Sequence, residues 1–170
     1  MNWHAVFGKT GTEDAIEKFI HYHLDNRECR TFIPKRRITE VRQGKAYQTV
    51  KTLFPGYVLI KTCMDAKKYN ILKAIPPIYS VVNQAGEYYS EIRDEEIQPL
   101  LNLSQNGNII DYSRILIQNS RVHVTSGPLI GMEGFIRKVD KRRGRAKVAL
   151  NFMGQIKTVD LGVEIVTPLN

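Results

Sequence analysis

Cysteine is nearly absent: Cys29 and Cys63 are the only two in 170 residues. Two thiols cannot build a disulfide scaffold, so a small secreted fold held by bridges is excluded. Long apolar runs are missing as well. The longest, Tyr57-Val58-Leu59-Ile60, falls far short of the ~20 residues a membrane-spanning helix needs. The opening Met1-Asn2-Trp3-His4 has no basic start ahead of an apolar stretch, so no secretory leader is read there. These absences lead us to expect a cytoplasmic protein with free thiols and no membrane partner. The four histidines, at 4, 21, 23 and 123, do not form a metal site. His21 and His23 stand two apart, on different sides of a helix, and no spacing resembles that of zinc ligands. Neither a serine-histidine-acid nor a paired-carboxylate pattern stands out. Gly8-Lys9-Thr10 fails as a phosphate-binding loop, because Trp3 occupies the place five residues earlier where glycine is required. The expectation is a non-enzyme with neither metal nor cofactor.

What the chain has in excess is positive charge, +8 with a sequence pI near 9.5. Such an excess draws polyanions over a Debye length. It is unevenly spread. Residues 115–170 carry nine Lys or Arg against four acids, and seven of the eleven residues in 137–147 are basic. Arg145 and Lys147 alternate with Ala146 and Val148, so one strand can bury one face and offer cations on the other. Arg137, Lys138, Lys141, Arg142, Arg143, Arg145 and Lys147 are therefore the candidate nucleic-acid contacts. A solvated hairpin kept soluble by its charge is the competing reading. A sparser patch comprises Arg27, Arg30, Lys35, Arg36, Arg37, Arg42, Lys45 and Lys51, offset by Glu28 and Glu40. There, nucleic-acid contact and plain solvation balance.

Periodicity divides the chain. Trp3 to Phe7 alternates as a first strand, and Ile16, Phe19, Ile20 and Leu24 recur at helical spacing. Thr10 and Glu13 have capping-box spacing ahead of that helix. Residues 30–33 read as a short strand ended by Pro34. Residues 35–41 and 46–50 read as the arms of an exposed hairpin around Gln43-Gly44. Residues 53–60 read as a buried strand, and Asp65 caps a second helix stopped by Pro76-Pro77. Residues 78–82 and 87–89 read as short strands around a turn at 83–86. A last helix covers 94–103, with Pro99 inside it. Residues 105–114, with Asn106-Gly107-Asn108, read as a linker. Beyond it only strands are expected: around Val122 and Val124, at 135–139, 146–152, 156–161 and 164–166. Five short strands between glycine-containing turns predict a small barrel.

Two segments carry a family resemblance. Leu53-Phe54-Pro55-Gly56-Tyr57-Val58-Leu59-Ile60 resembles the Phe-Pro-Gly-Tyr strand of NusG amino-terminal (NGN) domains, with Trp3 and Ile75-Pro76 in matching order. Val122-His123-Val124-Thr125-Ser126-Gly127-Pro128, continuing through Gly131, Gly134, Val139-Asp140, Phe152, Gly154 and Leu161, resembles a complete KOW motif. The resemblance implies an α+β chain. Its NGN domain (1–104) would be a mixed α/β sandwich, followed by a linker (105–114) and an SH3-like all-β KOW barrel (115–170). It also implies that the first domain holds the clamp helices of RNA polymerase's largest subunit through an aromatic pocket, to which Phe54 and Tyr57 are assigned by position. A monomeric transcription elongation factor that suppresses pausing would follow. The very basic turn Lys141-Arg142-Arg143-Gly144-Arg145 is similar to what a specialised paralogue of the LoaP type would need, promoting antitermination by binding a nascent RNA hairpin. A housekeeping member would instead use its KOW domain for a ribosomal protein or Rho. A structural ribosomal KOW protein is the alternative of another class, although such a protein has no need of the Phe-Pro-Gly-Tyr strand.

Overall fold

The computed structural model describes residues 1–84, 86–105 and 107–168. The turn read at 83–86 and the Asn106 loop each include a position outside the described residues. The elements run β1 (Asn2–Gly8), α1 (Glu13–His23), β2 (Cys29–Phe32), β3 (Lys35–Arg42), β4 (Lys45–Thr52), β5 (Tyr57–Thr62), α2 (Ala66–Ala74) and β6 (Ile78–Val81). They continue with α3 (Asp94–Leu103), β7 (Ile109–Ile110), β8 (Ser113–Gln118), β9 (Arg121–Ser126), a 3-10 turn (Glu133–Phe135), β10 (Ile136–Asp140), β11 (Arg145–Phe152) and β12 (Gln155–Val166). The class is α+β. The chain divides into two compact units, one of Met1–Ile33 with Phe54–Ile97 and one of Pro34–Leu53 with Gln98–Asn170.

The first unit is a four-stranded sheet in the order β2-β5-β1-β6. β1 pairs antiparallel with both β5 and β6. Ile16 and Ile20 of α1 bring the helix's apolar stripe onto Val6, Val58 and Ile60 of the sheet. Asp65 caps α2 as expected, its carboxylate accepting from the Lys68 amide at 2.8 Å. The capping box at Thr10 does not form. The helix starts at Glu13 with Thr12 as its cap, which leaves Thr10 outside. The Glu13 carboxylate instead accepts from the Gly56 amide at 2.6 Å and the Gly11 amide at 3.1 Å. That acceptor holds the segment read as the start of a strand. Residues 53–56 form a turn, closed by Tyr57 N to Phe54 O at 3.1 Å, and Gly56 sits at φ +87°. The strand therefore starts at Tyr57. No strand forms at 87–89, because the Ser90 hydroxyl and the Glu87 carboxylate organise a side-chain-bonded loop there.

The second unit holds two sheets, β4-β3-β7 and β10-β11-β12-β8-β9. The β3–β4 hairpin turns through Gln43 and Gly44, both left-handed at φ +51° and +75°, which matches the twist of a two-residue loop. Residues 109–110, inside the stretch read as a linker, form β7 and pair in parallel with Lys35 and Arg36. Ala146, Val148, Leu150 and Phe152 are all buried, as their alternation requires. β12 is one strand where two were expected. It pairs antiparallel with β11 up to Gly162, then parallel with β8 from Val163. Switching partners along one strand satisfies the backbone without a break, and β8 supplies the second partner.

Two features set stability. A Cβ on Gly56 would lie 2.6 Å from Phe7 Cε2, at a φ that L side chains avoid. We expect Gly56→Ala to destabilise the chain by about 1–3 kcal/mol, measured by chemical denaturation. His4 is buried, with Nδ1 3.0 Å from the Ser90 carbonyl and the Tyr89 ring edge-on at 5.6 Å. Burial lowers its pKa below the ordinary 6.5, outweighing the hydrogen bond to Ser90. The folded state thus favours neutral imidazole. Its contribution is full above about pH 6.5 and is lost as pH falls through the lowered value. The melting temperature should therefore drop on acidification below that point, and His4→Asn, which keeps a donor without titrating, should flatten that part of the profile.

Candidate functional site

Three aromatic rings gather on the first unit. Phe7 and Tyr57 face each other across β1 and β5, with ring centroids 4.9 Å apart. Tyr79, on β6, approaches Phe7 edge-on at 6.0 Å and is 65% exposed. The rings form a strip across neighbouring strands, able to seat an apolar side chain or an amphipathic helix. Tyr57, named from the sequence, is part of this strip and half-buried. Phe54, named with it, is only 4% exposed. The turn at Gly56 separates the two, sending one ring into the interior and the other to the sheet surface. Sequence reasoning missed Phe7 and Tyr79. Phe7 shares the outer alternation with Trp3, and Tyr79 follows the buried Ile78, so strand parity was the available signal.

The cationic residues lie on β10, its turn and β11. Arg137, Lys138, Lys141, Arg142, Arg143 and Lys147 are exposed, while Arg145 is not. Arg137 donates to the Gly134 carbonyl at 2.8 Å. The turn is braced by Asp140, whose carboxylate accepts from the Arg143 amide at 3.0 Å, with the Arg143 guanidinium 3.8 Å away. Lys138 stands directly opposite Lys147 in the ladder. A like-charged pair in that position is destabilising unless an anion lies close. Lys147 has one such neighbour, Asp160 at 3.6 Å.

Arg145 serves a different purpose. Its side chain is 17% exposed, lies 3.9 Å from Asp160 and donates to the Thr39 carbonyl at 3.1 Å. Arg36 of the sparser patch donates to the Asp160 carbonyl at 2.5 Å, and the Thr39 hydroxyl meets the Tyr112 hydroxyl at 2.7 Å. These bonds seat β3 beside β11 and β12 within the second unit. Others of the sparse patch are also engaged: Arg37 lies 3.4 Å from Asp111, and Arg42 and Lys51 both pair with Glu40. The Lys51 hydrogen bond holds the Glu40 carboxyl below its usual range. Between β3 and the β10–β11 turn a cleft of about 710 Å³ remains, lined by Thr39, Glu40, Val41, Arg42, Arg142, Arg143 and Arg145. Four arginines and one carboxylate line it, and one of the arginines, Arg145, is already engaged by Thr39 and Asp160. Among the described residues no three His, Cys, Asp or Glu side chains gather to hold a metal ion, and no helix is long and apolar enough to cross a membrane.

Comparison with known proteins places this geometry. The NusG family model, described as transcription termination factor NusG, matches residues 1–101. The transcription termination/antitermination proteins NusG of Escherichia coli (strain K12) and Yersinia pestis are 24% and 22% identical to the chain over 165 residues. In both cases the match spans 94% of this chain and 91% of the relative. A solved structure of Thermotoga maritima NusG shares the fold with a TM-score of 0.54 at 21% identity, covering 95% of this chain and 93% of that one. The sheet built on β1 and β5 is accordingly the amino-terminal NGN architecture, and the five-stranded sheet the KOW-like β region. With the family model spanning well over half its length, the chain belongs to the NusG family of transcription termination and antitermination factors.

Proposed function

We propose that this chain is a transcription elongation factor that binds RNA polymerase through its NGN domain and promotes processive antitermination by holding a nascent RNA hairpin on its basic KOW domain. The observation that carries the proposal is the exposed turn Lys141-Arg142-Arg143 beside an arginine-lined cleft. The same basic turn supports reading the chain as a specialised paralogue of the LoaP type. The family match ending at residue 101 supports an NGN domain of about 1–104, and the strands beyond it form the KOW domain of this reading, at 115–170. The strip of Phe7, Tyr57 and Tyr79 is the surface proposed for the polymerase's clamp helices, because its rings are accessible at the sheet face. Exposed Ile130 and Ile156 favour a second reading, in which the KOW domain docks a ribosomal protein or Rho.

Polymerase binding and fold can be separated by mutation. Tyr79→Ala, at an exposed position, should weaken polymerase pull-down with the melting temperature nearly unchanged. Adding Tyr57→Ala should weaken it further at a modest cost in stability, because a half-buried ring packed on Phe7 is lost. Phe54→Ala should destabilise the chain by about 3–5 kcal/mol, because a buried aromatic ring is removed. Normal polymerase retention by the folded double variant would remove the strip from the proposal.

RNA binding is tested by charge. Changing Lys141, Arg142, Arg143 and Lys147 to Gln, with Arg145 left in place, should lower RNA-hairpin affinity at low salt. The slope of log affinity against log salt should fall by roughly 0.7–0.9 for each phosphate that is no longer neutralised. Unchanged affinity and slope would give the protein-docking reading first place.

A further inference from the structure

The tip of the β3–β4 hairpin, residues 41–48, is exposed throughout, and it carries an aromatic ring, Tyr47, at 49% exposure. The ladder pairs Glu40 with Tyr47 and Arg42 with Lys45. Cross-strand partners and residues two apart share a face, so Arg42, Lys45 and Tyr47 present one surface. Arg42 borders two depressions. One is the arginine cleft with Arg142 and Arg143. The other, of about 560 Å³, is lined by Arg42, Gln43, Tyr47, Gln48 and Thr49. Arg42 therefore stands between the arginine cleft and a shelf that carries a phenol ring.

We propose that the β3–β4 hairpin is the second wall of the RNA site: stem phosphates lie in the arginine cleft, and an unstacked loop base stacks on Tyr47. This rests on the reading of the second unit as RNA-binding. The chemistry selects the ligand. Guanidinium forks match phosphate oxygens in a bidentate way. An exposed aromatic face beside the cations takes a base plane whatever its identity. The amide of Gln43, at the turn beside the ring, offers a donor and an acceptor to a base edge. An acidic protein segment would use the cleft but not the ring. The Glu40 carboxylate in the cleft is already paired with Lys51 and Arg42, so it leaves the hairpin tip cationic. Both walls are held before any ligand arrives, by Arg36 to Asp160, Arg145 to Thr39 and Thr39 with Tyr112. Such preorganisation reduces the ordering that binding requires.

The test uses the full chain and an RNA hairpin whose adenine-rich loop carries 2-aminopurine, with a fully paired duplex of the same stem as control, titrated at low salt. Wild type should quench the loop fluorophore. Tyr47→Ala should weaken hairpin binding roughly 5- to 100-fold, the range expected for one stacked base, and abolish the quench. It should leave duplex affinity and the salt slope unchanged, while Tyr47→Phe restores both quench and affinity. Arg42→Gln should instead lower the salt slope by roughly 0.7–0.9 for both RNAs. Tyr47 is exposed, so an unchanged melting temperature is expected and verifies the fold. Wild-type affinity and quench in Tyr47→Ala would overturn the stacking role, as would equal weakening on hairpin and duplex. Competition by a polyglutamate peptide that exceeds that of the hairpin and ignores Tyr47 would overturn RNA as the occupant. If the four-Gln variant binds RNA normally, the underlying RNA reading fails. If it no longer binds while Tyr47→Ala still does, only this inference fails.

Discussion

Two guanidinium bonds, Arg36 to the Asp160 carbonyl and Arg145 to the Thr39 carbonyl, organise the second unit. Backbone carbonyls on β12 and β3 are the acceptors, so each bond joins strands that no ladder pairs. A charge-assisted bond of this kind is stronger than a neutral one. Burying a guanidinium without such an acceptor would be costly. Asp160 adds a carboxylate near Arg145 and Lys147, which offsets part of the positive charge where the strands converge. These bonds act beside the β3–β7 ladder and the Thr39–Tyr112 hydroxyl pair, and together they set the spacing of the cleft between Arg42 and Arg142. The cationic surface therefore depends on cations that are themselves withdrawn from it.

This division of labour explains what could and could not be read from sequence. The density of Lys and Arg in 137–147 located the surface, and the alternation of Ala146, Val148, Leu150 and Phe152 located the buried face of β11. Neither signal distinguishes Arg145 from Arg143, because both are arginines two residues apart in one basic run. The difference comes from Thr39, more than a hundred residues away in sequence, and no local pattern contains it. The same limit applies to β12. Its composition suggests a break near Gly162, but a Cβ there would lie 2.6 Å from the Arg37 carbonyl. That glycine serves the close passage of β3 rather than a turn.

In the first unit, the turn at Gly56 has a comparable role. Phe54 and Tyr57 belong to one short motif yet end on opposite sides of the backbone, because residues 53–56 turn instead of continuing the pleat. A pleated strand would already put residues three apart on opposite faces, but both would then remain in the sheet. Here Phe54 enters the interior and Tyr57 joins Phe7 across the ladder. Glu13 makes this geometry possible by accepting the Gly56 amide at 2.6 Å. A carboxylate that sequence spacing assigned to a helix cap thus shapes the loop carrying the motif. Capping-box spacing pointed to the Thr10 amide as the partner of Glu13, and the carboxylate accepts from Gly11 and Gly56 instead.

Family limits and physical limits then need not coincide. The family match covers residues 1–101 as one block, whereas packing assigns Pro34–Leu53 to the unit that contains the carboxy-terminal strands. A hairpin that the family match counts with the amino-terminal residues packs in the unit of the carboxy-terminal strands, and its inner half supplies the polar partners, Arg36 and Thr39. Its outer end keeps Val41, Arg42, Lys45 and Tyr47 in solvent. Such an element has two separable parts, an inner half that fixes its position and an outer half whose composition is free to vary without loss of fold. Surface substitutions away from buried polar networks typically change stability little, so the outer half can acquire ligand chemistry at small structural cost. The seven basic residues of 137–147 sit under the opposite constraint. Lys138 stands opposite Lys147, a like-charged pair that Asp160, 3.6 Å from Lys147, offsets only in part, so further negative charge close to the sheet is favoured.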